Sequence, residues 1–173
     1  MKTKLKKQKK KYKDRGQNSI WQALGSGLAG AVAVTLIHET ARRFIPDAPR
    51  MDVLGMRAIA KGMYKLDEQP PEANELFNWS IIGDLVSNTL YYSIGANGQQ
   101  PWVKGTLLGS LAGIGGVVLP GPMGLGEEPS GRTPQTKAMT IAWYLLGGLV
   151  TAATAQAISQ TNRNHRMPED WAM

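Results

Sequence analysis

The sequence predicts an all-α integral membrane protein: a four-helix bundle with one amphipathic helix lying in the membrane interface. Three observations predict it. Four apolar stretches, about 20–37, 80–96, 103–119 and 138–158, approach the length of about 20 residues that a helix needs to cross the hydrocarbon core. Tryptophans sit at their edges: Trp21, Trp79, Trp102 and, with Tyr144, Trp143 near the start of the last. Indole rings favour the headgroup boundary. Third, small residues recur within the stretches at helix-packing intervals.

The chain divides into a basic head (1–19), a four-span domain (20–160) and a polar tail (161–173) in which Trp171 could return to the interface. Its mean hydropathy of −0.25 hides the spans, because head, middle and tail are polar. The head carries Lys2, Lys4, Lys6, Lys7, Lys9, Lys10, Lys11, Lys13 and Arg15 against Asp14, which accounts for most of the net charge of +7. Like charges without apolar partners predict a segment disordered on its own. A basic run so close to an apolar span is read as a cytoplasmic retention signal, with anionic lipid as its companion. Nucleic-acid binding is not expected, since no aromatic platform or recognition helix accompanies the charges. The first apolar stretch is longer than a usual signal-peptide core and is read as uncleaved.

With the head inside, the inner segments hold twelve lysines and arginines and the outer ones eight, which places both termini in the cytoplasm. A bacterial inner membrane is the expected location. The chain has no cysteine and two histidines, so thiol chemistry is excluded and a transition-metal site is not expected. His38-Glu39 superficially evokes zinc helices of the His-Glu-x-x-His type, but position 42 is Arg42, so the second imidazole is missing. No cofactor fingerprint, phosphate loop or nucleophile motif occurs.

Gly105, Gly109 and Gly113 recur every fourth residue, Gly116 adjoins them, and Gly147 and Gly148 mark the last span. Such strips let backbones approach closely, either within the bundle or between copies of the chain or a membrane partner. The second span carries the chemistry of interest. Asp84, Asn88, Tyr91 and Gly95 fall on one helical face, and an ionisable residue at that depth marks a candidate polar site. Under this topology His38 and Glu39 end the first span on the same side, so a His38–Asp84 hydrogen bond is expected, with Thr35 one turn deeper. The rival reading makes Asp84 a structural staple.

Between the first two spans, Asp47 could cap a helix over 50–64 and Pro49 suits its first turn. Arg50, Arg57 and Lys61 share one sector of it, opposite Val53, Met56, Ala60, Met63 and Tyr64, with Asp52 as a blemish. That pattern suits basic side chains facing lipid phosphates, or a helix packed on the end of the bundle. An acidic, proline-broken connector, Asp67 to Glu72, follows it. The third connection, Pro120 to Pro134, is rich in glycine and proline, and Glu127 and Glu128 could attract a cation or simply keep the loop wet. The functional expectation is a non-enzymatic accessory or structural subunit of a membrane assembly. Its rival is a small oligomeric transporter or ion conduit using Asp84, Asn88 and Tyr91; a third option is an enzyme acting on a lipid-linked substrate.

Overall fold

The structure, a computed structural model, describes the backbone of residues 2–96 and 99–164 and the side chains of 19–96 and 99–162. The side chains of the basic head, Asn97, Gly98, Arg163, and the tail with His165, Arg166 and Trp171 lie outside the described residues. Six helices follow in order: α1 (Lys2–Phe44), α2 (Met51–Tyr64), α3 (Ala73–Ala96), α4 (Pro101–Val118), α5 (Glu128–Gly131) and α6 (Pro134–Asn164). No strand occurs among the described residues. Two segments, Ser19–Phe44 and Pro134–Asn162, are long and apolar enough to cross a membrane.

Local signals account for the boundaries. Pro46 ends α1, and the chain turns with the Ala48 amide donating to Ile45 O at 3.1 Å. Pro101 occupies the first turn of α4, preceded by Gln100 in the left-handed region at φ 60°. Thr133 caps α6: its Oγ1 accepts from the Thr136 amide at 3.0 Å, with Pro134 at the first helical position. α1 takes in the basic head, which was expected to be disordered alone. Its lysines are good helix formers, and propagation from an existing helix escapes the nucleation cost. α3 begins seven residues before the apolar stretch that marked it, because Ala73–Trp79 continue the same helix. The four-residue α5 lies within the glycine- and proline-rich connection between α4 and α6.

Around the bundle the order is α1, α3, α4, α6. α4 packs most extensively on α6, α1 on both α3 and α6, and the α3–α4 seam is the thinnest side. Glycine sets the closest approach. A Cβ on Gly109 would lie 2.8 Å from Leu145 Cα and Tyr144 O, and one on Gly113 2.6 Å from Ile141 Cα. Gly105 and Gly148 face each other so closely that a Cβ on either would strike the other's carbonyl. Gly147 meets Val34 of α1 and the Tyr92 hydroxyl of α3. The glycine strip is thus occupied within the chain.

The interior is small and polar, the exterior large and apolar. Val34, Tyr92 and Tyr144 form the buried cluster, with Ser26, His38, Asn88, Thr140 and Thr151 buried among the helices. Tyr144, expected at a membrane boundary, is instead core. Its hydroxyl lies beside Asn88 and its carbonyl accepts from Tyr92 Oη at 2.7 Å. Buried hydroxyls bond backbone carbonyls, as Thr151 does to Gly147 O and Thr140 to Ser130 O. Exposed stripes run along the outer faces at helical spacing: Leu28, Val32 and Leu36; Ile82, Val86, Leu90 and Ile94; Val103, Leu107, Leu111, Ile114 and Val118.

Replacing Gly109 with leucine must push α4 off α6. Gly109→Leu is expected to cost about 1–3 kcal/mol, as overpacking typically does, read as a lowered midpoint of thermal unfolding by tryptophan fluorescence in detergent. Gly25→Leu, where a Cβ meets nothing within 4 Å, is the control expected to keep the wild-type midpoint.

Candidate functional site

The thin α3–α4 seam opens into a cleft of about 740 Å³. α3 contributes Ser80, Gly83, Asp84, Ser87, Asn88 and Tyr91; α4 and the following loop contribute an apolar wall from Leu111 to Leu125, and Tyr144 forms the floor. α2 roofs one end with Met51, Leu54, Gly55, Ala58 and Ile59. At the opposite end the cleft is shut. Tyr91 Oη donates to Leu108 O at 2.9 Å, and Gly95 packs under the Leu108 side chain.

Of the residues expected at a polar site, the structure brings together Asp84, Asn88 and Tyr91 on one wall. Asn88 Nδ2 donates to Asp84 Oδ1 at 2.9 Å, and Thr35 Oγ1 donates to Asp84 Oδ2 at 3.4 Å. Asn88 also lies beside the Tyr144 hydroxyl. Ser87 Oγ donates to Asp84 O and Ser80 Oγ to Asp52 O. The polar side chains that α3 presents to the cleft therefore each have a partner in the chain.

His38 does not bond Asp84. Its Nδ1 donates to Val34 O at 3.0 Å, one turn back on α1, and its ring lies edge-on to Trp143 at 5.1 Å and tilted to Tyr144 at 5.4 Å. A carbonyl can only accept, so Nδ1 carries the hydrogen and Nε2 keeps its lone pair in the neutral ring. Nε2 is buried without a hydrogen-bond partner among the described residues. His38 and Asp84 meet only as neighbours, lining a chamber of about 10 Å³ with Thr35, Glu39, Asp52 and Ser80. Glu39 is taken by Arg42, whose Nη2 lies 2.6 Å from Oε2.

Asp52 carries more weight than its sequence position suggested. Only 5 % exposed, it lies 2.8 Å from Arg50 Nη2 and 3.6 Å from Arg42 Nη1, so it ties the start of α2 to the end of α1. Burial pushes its carboxyl up, but the Arg50 hydrogen bonds, with the charges of Arg50 and Arg42, outweigh burial and hold it below the ordinary value. Asp47 does not cap α2. Its carboxylate meets Arg132 at 3.3 Å and its carbonyl accepts from Thr136 Oγ1 at 2.9 Å.

The basic residues of α2 bond protein groups. Arg50 binds Asp52; Arg57 Nη1 donates to Leu125 O at 2.8 Å and meets Glu128 at 3.3 Å; Lys61 Nζ donates to Met123 O at 2.7 Å. In this setting Met51, Leu54, Gly55, Ala58 and Ile59 line the cleft. Val53, Met56, Ala60 and Met63, the face expected to meet the membrane or the end of the bundle, are half-buried and Tyr64 is exposed. Gly55 allows α2 to approach α3, since a Cβ there would sit 3.0 Å from Ser80 Cβ. The arrangement has no group of three potential metal ligands among the described residues.

No protein-family model matches this chain, and neither a curated protein nor a solved structure matches it.

Because the folded carboxyl of Asp52 is held below its ordinary value of about 3.9, it adds stability above that pH, and the contribution is lost as pH falls through the folded value. Asp52→Asn is expected to lose about 1–3 kcal/mol at neutral pH, the scale of a hydrogen bond to a charged group. The gap from wild type should close in acid, read from unfolding midpoints across a pH series. A gap constant with pH would mean that the residue acts by shape alone.

Proposed function

We propose that this chain is a four-span membrane protein, with α1, α3, α4 and α6 as the spans, that serves as a non-enzymatic accessory component of a membrane assembly. The observation that carries the reading is the inverted distribution of side chains. Leu, Ile and Val stripes face outward on α1, α3 and α4, whereas Asn, His, Ser and Thr face inward and bond within the chain. In water, stripes of this extent are association sites. In lipid they are the natural outer face, and internal bonding of polar groups is what the hydrocarbon demands. Trp21 and Trp102 at one end and Trp79 towards the other are exposed, as headgroup-level residues would be. Accessory rather than catalytic work is supported by the cleft, whose α3 polar side chains bond backbone carbonyls or one another. The conduit reading is disfavoured by the Tyr91–Leu108 closure, which leaves the Asp84 path a dead end.

The head and α6's end share one end of the bundle, so two of four crossings would return the chain to the side it began on. With the basic head inside, that side is the cytoplasm, and the α2 end faces outward.

The cysteine-free sequence makes the test direct. In intact inner-membrane vesicles, cysteines at Ile82, Leu107 and Leu146 are expected to resist a membrane-impermeant maleimide. Glu68→Cys and Gln160→Cys should label from opposite sides only. Labelling of Ile82→Cys and Leu107→Cys as readily as Glu68→Cys would remove the four-span reading. Asp84→Asn is expected to alter stability or assembly and to leave proteoliposome ion flux at the wild-type level.

A further inference from the structure

Resting on the four-span reading, we infer that the cleft between α3 and α4 holds one hydrocarbon chain of a lipid from the leaflet on the α2 side. Shape, depth and chemistry each select this occupant.

The cleft is a wedge with one closed end. α3 and α4 touch where Tyr91 bonds Leu108 and Gly95 meets Leu108, and they part toward α2. A transmembrane helix about 10 Å across would need the seam open along its whole length. A single flexible chain needs only the open half. From Ser80 to Tyr91 along α3 the cleft is about 16 Å deep at 1.5 Å per residue, close to the roughly 15 Å of one leaflet's hydrocarbon. Its volume of about 740 Å³ falls within the roughly 300–1,000 Å³ of sites that enclose a small ligand.

Chemistry favours an apolar guest. Ser80, Asp84, Ser87, Asn88 and Tyr91 each hydrogen-bond within the protein, so none depends on a ligand for its only partner. The opposite wall, Leu111, Ala112, Leu119 and Met123, offers only dispersion contacts, which a methylene chain satisfies and water does not. The side entrance is free: Gly83, Ser87, Leu111 and Leu119 are exposed, and a Cβ on Gly83 would meet nothing within 4 Å. At the rim, Arg57 and Lys61 already bond loop carbonyls, so the site reads the chain and not the headgroup's charge.

The test uses full-length protein in phosphatidylcholine vesicles containing a trace of phosphatidylcholine with a photoreactive diazirine on one acyl chain. After irradiation, labelled peptides are mapped by mass spectrometry. Label is expected to concentrate on residues 51–59, 80–91 and 111–125. Gly83→Trp, which fills the cleft from α3, should remove that enrichment, and Ala58→Trp should do the same from the roof. Gly25→Trp, equally unobstructed but on α1, should keep it. Label spread evenly over the outward stripes, or enrichment that survives both filling variants, would overturn the inference while the membrane reading stands. Failure of the wild-type protein to float with the vesicles would instead defeat the membrane reading.

Discussion

Close contact between the backbones of α4 and α6 governs the rest of the molecule. Three glycines on α4, each a turn apart, press on α6 at Gly148, Tyr144–Leu145 and Ile141, and no side chain intervenes. On the proposed membrane reading, helices surrounded by lipid gain little from hiding hydrocarbon, so such dispersion contacts decide which pair sits closest. The short connection after Ala96 obliges α4 to start beside α3. The glycine strip then draws α4 toward α6, and α3 leans on α1 through Gly27, which lies against Thr89 and Ser93. Two helices tethered at one end and attracted to different partners must diverge. The cleft is the geometric consequence of that divergence, with no residue dedicated to opening it.

Divergence creates a second requirement. A wall bearing Asp84, Asn88 and Tyr91 becomes accessible from the side, where unpaired polar groups would be costly. Each is answered within the chain: Asp84 by Thr35 and Asn88, Asn88 by Asp84 with Tyr144 beside it, Tyr91 by the Leu108 carbonyl. The same residues that look like a polar path in sequence thus act as a seam binding α3 to α1, α6 and α4. His38 departs from the pattern. Its Nδ1 is satisfied and its ring is packed by Trp143 and Tyr144, yet Nε2 faces no partner among the described residues. Packing holds that imidazole, and its hydrogen bonding is only half complete.

Periodicity made the helices and their faces legible. The four-residue recurrence of Gly105, Gly109 and Gly113 and the 84–88–91 stripe both describe surfaces of single helices, and single helices are what a sequence encodes locally. Neighbours are a different matter. Asp52 reads as a flaw in an apolar face because its partners, Arg50 beside it and Arg42 on another helix, are set by how α2 meets α1. Arg57 and Lys61 read as phosphate-seeking because nothing local announces the carbonyls of Met123 and Leu125. His38 and Asp84 lie side by side around one small chamber, but the ring bonds within its own helix, to the Val34 carbonyl one turn back. Tyr144 offered the clearest missed signal: an aromatic two turns into a span, three residues before a Gly-Gly pair, stands where helices cross closely and so belongs to the core.

The two ends of the cleft are built to different stiffness. At the α2 end, four separate links fix the roof: Arg42 of α1 to Asp52, Ser80 of α3 to the Asp52 carbonyl, and Arg57 and Lys61 to the loop carbonyls of Leu125 and Met123. They engage three different segments, so loosening one leaves α2 in place. The α3–α4 seam below is closed by the hydrogen bond from Tyr91 to Leu108 and by the packing of Gly95 against Leu108 and Lys104. Ser80 and the Gly55 contact tie the roof to α3, so roof and α3 wall form one side of the wedge, and α4 with its following loop forms the other. The depth of the wedge is set at its closed end, where Tyr91 bonds the Leu108 carbonyl.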